Sequence, residues 1–90
     1  MGRRADEYGL IHVGGERAAL VDRMRGPLLR ALSGRRCFYA VRVEALGPGG
    51  DVLVSITGSK GSIPLLFGPD ELQAGHVSSV VRGAVDRAAL

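Results

Sequence analysis

Four short clusters in this chain gather side chains able to do chemistry: Gly58-Ser59-Lys60-Gly61, His76 with Ser78 and Ser79, Asp70-Glu71, and Cys37 behind Arg35-Arg36. The first has the glycines and the lysine of a phosphate loop. A Walker loop, however, runs Gly-Lys-Ser/Thr into a helix, so that backbone amides and the helix dipole face the phosphates. Here Lys60 precedes the second glycine and a strand pattern follows. A GxxG clamp of the KH type would join two helices, whereas this one joins two strands. The segment is expected to be a hairpin turn whose glycines accept positive φ, with Lys60 at its tip able to touch a phosphate backbone.

The other clusters fall short of a catalytic set for stated reasons. His76 and Ser79 lie one helical turn apart, but a working serine also needs a third group that orients the base, and no Gly-x-Ser-x-Gly elbow occurs. Ser78 and Ser79 are expected on a helix surface, and His76 as an exposed first-turn residue. Asp70 and Glu71 are adjacent and point apart, so Asp70 is expected to cap a helix rather than share a proton with its neighbour. Cys37 follows two cations, which favour a thiolate, yet a semi-buried structural cysteine is the simpler role. It has no second cysteine to pair with, and neither His12 nor His76 has ligand-like spacing to another donor. No catalytic residue, metal or cofactor is expected.

Hydrophobic periodicity supplies the elements that would position these groups. Val52, Val54 and Ile56 alternate, then Ile63, Leu65 and Phe67 alternate beyond the turn. Val77, Val80, Val81, Ala84, Val85 and Ala88 follow with helical spacing. That change from period 2 to period 3.6 predicts strand, hairpin, strand and amphipathic helix. Upstream, Glu16 to Leu32 reads as a helix with Leu20, Met24, Leu28, Ala31 and Leu32 on one face. Gly26-Pro27 predicts a kink or two short helices, because proline cannot donate to the i−4 carbonyl. Cys37 to Leu46 alternates as a strand, and Gly47-Pro48-Gly49-Gly50 links it to the next. Pro64 places its strand at a sheet edge, where a second subunit could pair along Ile63, Pro64 and Leu66.

The predicted fold is α+β: an αβββα domain over residues 16–90, a three-stranded antiparallel meander with two helices on one face. Residues 1–15 form an N-terminal arm or an added strand, with Tyr8 to Val13 as its apolar run. Ninety residues form one domain with a modest core, so self-association would bury useful surface. Hydrophobic residues make up 46% of the chain and mean hydropathy is +0.14, which makes a homodimer plausible. No apolar run approaches the ~20 residues of a membrane span, and one unpaired cysteine suits a reducing cytoplasm. The net charge is +3, carried by eleven arginines and one lysine, and guanidinium forks suit phosphate. The candidate nucleic-acid contacts are Arg3, Arg4, Arg30, Arg35, Arg36, Arg42 and Lys60.

From Glu44 onward the order of residues resembles the YbaB/EbfC family of bacterial nucleoid-associated DNA-binding proteins. Gly49-Gly50-Asp51-Val52-Leu53-Val54-Ser55-Ile56 resembles that family's Gly-rich approach to an alternating strand, and Gly58-Ser59-Lys60-Gly61 its hairpin turn. Pro69-Asp70-Glu71-Leu72 is similar to its Asp-Pro-x-x-Leu step with the first two residues exchanged. Val80 to Ala88 is similar to its final helix. The resemblance implies a homodimer that binds DNA, rather than RNA, with little sequence preference. A second resemblance, of Glu71 to Arg82 to HicA-type toxins, implies a double-stranded-RNA-binding-like αβββα fold. Those toxins rely on a strand histidine that this meander lacks, so an RNA-binding or inactive scaffold is implied. Another expectation is a subunit or adaptor in a larger protein assembly, working through the open sheet face or the Pro64 edge.

Overall fold

A computed structural model describes residues 10–35 and 37–90. The elements are β1 (Ile11–Gly14), α1 (Ala18–Leu32), β2 (Tyr39–Leu46), β3 (Asp51–Gly58), β4 (Gly61–Phe67), a short 3-10 turn (Pro69–Glu71) and α2 (Ala74–Ala88). They form a mixed sheet in the order β1-β2-β3-β4. The meander β2-β3-β4 is antiparallel, with Val43 opposite Val54 and Val54 opposite Leu65. The N-terminal apolar run supplies a fourth strand: β1 pairs parallel to β2, with Ile11 opposite Tyr39 and Val13 opposite Val41. A parallel pair needs a long crossover, and α1 provides it. β1 therefore belongs to the core, since Ile11 and Val13 are both buried.

Alternation decides which face each strand residue takes. Tyr39, Val41, Val43, Val52, Val54, Ile56 and Phe67 point to the helices and are at most 4% exposed. Met24 and Leu28 of α1 and Val77, Val81 and Val85 of α2 meet them, each fully excluded from solvent. Each such aliphatic side chain stabilises the fold by roughly 1.5–3 kcal/mol relative to exposure. β3 lies between two neighbours and contributes its whole inward row, so it is the centre of the core.

Several boundaries differ from expectation. α1 begins at Ala18 rather than Glu16 and continues through Pro27 as one helix, not two. Gly26 explains the tolerance, because proline's ring normally clashes with the Cβ of the preceding residue and glycine has none. Pro27 is itself buried. β2 begins at Tyr39, so Cys37 and Phe38 precede the strand rather than start it. In the hairpin turn only Gly61 takes a positive φ, at 140°. β4, with Pro64, does lie at an edge of the sheet.

One glycine is required by close approach. A Cβ on Gly15, at the link from β1 to α1, would stand 2.2 Å from the Val43 carbonyl oxygen and 3.0 Å from Val21 Cγ2. Backbone cannot yield as a side chain does. Gly15→Ala is expected to destabilise the protein by about 1–3 kcal/mol, as overpacking does. Gly49→Ala, with open space around the new methyl, is expected to change stability little. Urea unfolding of the two variants checks the contrast.

Candidate interaction surfaces

Strand pairing and connection fix the direction of both helices. β1 runs parallel to β2, so α1 returns antiparallel to them, and its C-terminus lies where β2 begins. α2 runs the same way: Tyr39 Oη donates to the Leu90 carbonyl at 2.9 Å, and Arg35 Nη1 lies 2.6 Å from Asp86 Oδ1. The two helix C-termini and the β3–β4 turn therefore share one end of the domain. Charges segregate along that axis. The C-terminal end carries Arg30, Arg35, Lys60 and Arg87 against Asp86. The N-terminal end carries Glu16, Asp51, Asp70 and Glu71 against Arg17. Parallel helices add their macrodipoles, and the last turns carry Arg30 in α1 and Arg87 in α2 at the negative ends, whereas neither first turn holds a carboxylate and Arg17 stands at the N-cap of α1.

That geometry separates the candidate nucleic-acid residues. Arg35 is already engaged: besides Asp86, its Nε donates to the Ala31 carbonyl at 3.3 Å. Arg42 lies mid-sheet on the face away from the helices and bonds Glu44 at 3.1 Å. Arg30 is on the exposed side of α1, bordering an open groove of about 420 Å³ with Arg25, Asp22 and Leu29. Lys60 is exposed at the hairpin tip. Arg30, Arg35 and Lys60 thus share an end, and Arg42 does not join them. Arg3, Arg4 and Arg36 lie outside the described residues.

The edge residues also divide. Ile63 turns toward the helices and packs on the core, whereas Pro64 and Leu66 take the opposite face. That face has no covering element among the described residues. Register aligns Arg42 with Ser55 and Pro64 in one row, and Glu44 with Leu53 and Leu66 in the next. Leu66 is 62% exposed, and Leu46 and Phe38 add exposed apolar surface at the margins. Leu53, Leu46 and Phe38 were not among the sequence candidates. For Leu53 and Leu46 the signal was available: each occupies the outward parity of a strand whose other parity is already apolar.

The chemical clusters resolve into structural roles. Glu71, not Asp70, makes the capping contact, accepting from the Gly68 amide at 2.7 Å; Glu71 sits three residues on, as a capping geometry requires. Ser78 is buried at 4% exposure rather than on the surface, because it borders Val77 on the packed side of α2. His76 lies 3.8 Å from Glu71 and edge-on to Phe67. Cys37 is exposed, not semi-buried, and its thiol donates to the Arg35 carbonyl. The Tyr39 hydroxyl is held above its ordinary pKa, first by burial and then by the Cys37 thiol. Among the described residues, no group of three or more His, Cys, Asp or Glu could hold a metal ion, and no helix is long and apolar enough to cross a membrane. Comparison with known family models, curated proteins and solved structures finds no match to this chain.

The Arg35–Asp86 pair generates a pH dependence. Arg35's hydrogen bond lowers the Asp86 pKa, and the same bond raises that of Arg35 against the opposing effect of burial. A depressed carboxylate stabilises the fold fully above its unfolded pKa of about 3.9 and loses that contribution as pH falls through the folded value. Asp86→Asn is therefore expected to be less stable than the parent at neutral pH. The two should converge in acid, and thermal melts across pH 2–7 (about the carboxylate range) test this.

Proposed function

We propose that this domain is an interaction subunit that binds a protein partner on the uncovered face of its sheet. The observation that carries the proposal is the contiguous apolar group Leu53, Pro64 and Leu66 on β3 and β4, on the side opposite both helices. Among the described residues the one arginine placed there, Arg42, is neutralised by Glu44, so the face offers apolar contact with a balanced charge pair. Such patches mark association sites when the rest of the surface is polar. The domain would act by binding rather than by catalysis. Free, exposed Cys37 suits a reducing cytoplasm.

A second use is favoured by the charge segregation: Arg30, Lys60 and Arg87 at the helix C-terminal end offer sequence-independent contacts to phosphates. This is the DNA-binding role that the YbaB/EbfC resemblance implies, and it would be confined to that end. Each neutralised phosphate adds roughly 0.9 to the log–log salt slope of duplex binding.

Capture on the full chain, with and without nuclease, separates the two. Leu66→Glu is expected to release the bound protein, and nuclease to leave it in place. Lys60→Glu should not affect that capture. Partners lost on nuclease treatment, with salt-dependent DNA binding weakened by Lys60→Glu and not by Leu66→Glu, would instead favour the phosphate-binding role.

A further inference from the structure

The uncovered face has a symmetry of its own that says what fits it. Along β2, Ala40, Arg42, Glu44 and Leu46 point outward in succession; along β4, Pro64 and Leu66 do so. A two-fold axis lying in the interface and crossing the strands midway between the Arg42 row and the Glu44 row exchanges these positions in pairs. Arg42 then faces Glu44 of the second copy, and Glu44 faces its Arg42. Pro64 meets Leu66, and Leu46 meets Ala40. On β3 the same axis sets Ser55 against Leu53 and Thr57 against Asp51; the β2 and β4 contacts join like polarity or opposite charge, and each occurs twice about the axis, as in an isologous interface.

From these pairings we infer that the occupant of the face is a second copy of this chain, packed sheet to sheet about that axis. The inference rests on the interaction-subunit proposal and names its partner. Area limits how strong such a dimer is. Four strands about 4.8 Å apart, with roughly seven residues rising about 3.3 Å each, present about 400–500 Å² per copy. Two such faces bury about 800–1,000 Å², at or below the roughly 1,000 Å² that a stable specific interface clears and in the range of weak, transient ones. The dimer is therefore reversible and concentration-dependent. Sheets stacked in this way pack about 10 Å apart with strands within about 30° of alignment, close enough for Arg42 and Glu44 to reach across. Within one subunit these two side chains are 57% and 36% exposed, so both are available to a second partner.

This mode differs from pairing along the free edge of β4, because edge pairing leaves Arg42 and Glu44 untouched. Sedimentation equilibrium of the full chain over micromolar to submillimolar concentration is the test. Arg42→Glu and Glu44→Arg should each weaken self-association at least tenfold by placing like charges across the axis. The double variant R42E/E44R should restore it to within a few-fold of the parent. Circular dichroism should show all three folded, since neither residue belongs to the core. A parent that stays monomeric throughout overturns the inference. So does a dimer that survives both single variants, or a double variant no better than the singles. If the parent is monomeric but Leu66→Glu still releases a captured protein, the interaction face stands and only the self-pairing fails. If Leu66→Glu changes neither, both fail.

Discussion

Everything in this fold depends on a single sheet face being covered twice. Val54 and Ile56 on β3, with Val41 and Val43 on β2, are shielded only if α1 and α2 lie side by side above them. A sheet of this size needs both helices to exclude water from its inward row, and among the described residues no further helix lies on the other side. Burial on one face thus dictates exposure on the other. The uncovered face is a consequence of the core, not a separate feature.

The same constraint sets the direction of the helices and, through them, the charge pattern. Parallel pairing of β1 with β2 forces α1 to run back toward the start of β2, and α2 follows the same course after β4. Two parallel helices in contact would align their dipoles unfavourably. Arg30 and Arg87 in the last turns offset part of that cost at the C-terminal ends. Part of the arginine content that suggests phosphate binding thus has a role within the fold. Arg35 is the clearest case, tied at once to the Ala31 carbonyl and to Asp86. Lys60, on a turn outside either helix, has no such structural duty and remains the plainest candidate for an external contact.

Legibility in the sequence varied with the range of the interaction. Local periodicity announced α1, the three meander strands and α2, because the side chains that report a face are two to four residues apart. Pro64 marked an edge strand for an equally local reason, its missing amide. Ile11 and Val13 were ambiguous, since a four-residue strand has too few alternations to show a period, and its parallel partner lies 28 residues on. Gly26 hid the continuity of α1, because the absence of a Cβ before Pro27 matters only once the helix exists. Ser78 looked like a surface residue because its neighbours on the chain do not reveal that α2 lies flat against the core.

What the sequence determined by itself is the helix–meander–helix set of elements and which residues the three meander strands turn inward, since both follow from repeating patterns within a few residues. Tertiary structure alone decided where the functional candidates stand relative to one another. Arg42 and Lys60 look like members of one basic set in the chain, yet the sheet puts one on the open face and the other at a tip. Leu53 and Leu66, thirteen positions apart, become neighbours only through the register of β3 with β4. Proximity across strands is set by hydrogen-bond register and by which side the helices occupy, and neither is written in any short stretch of residues.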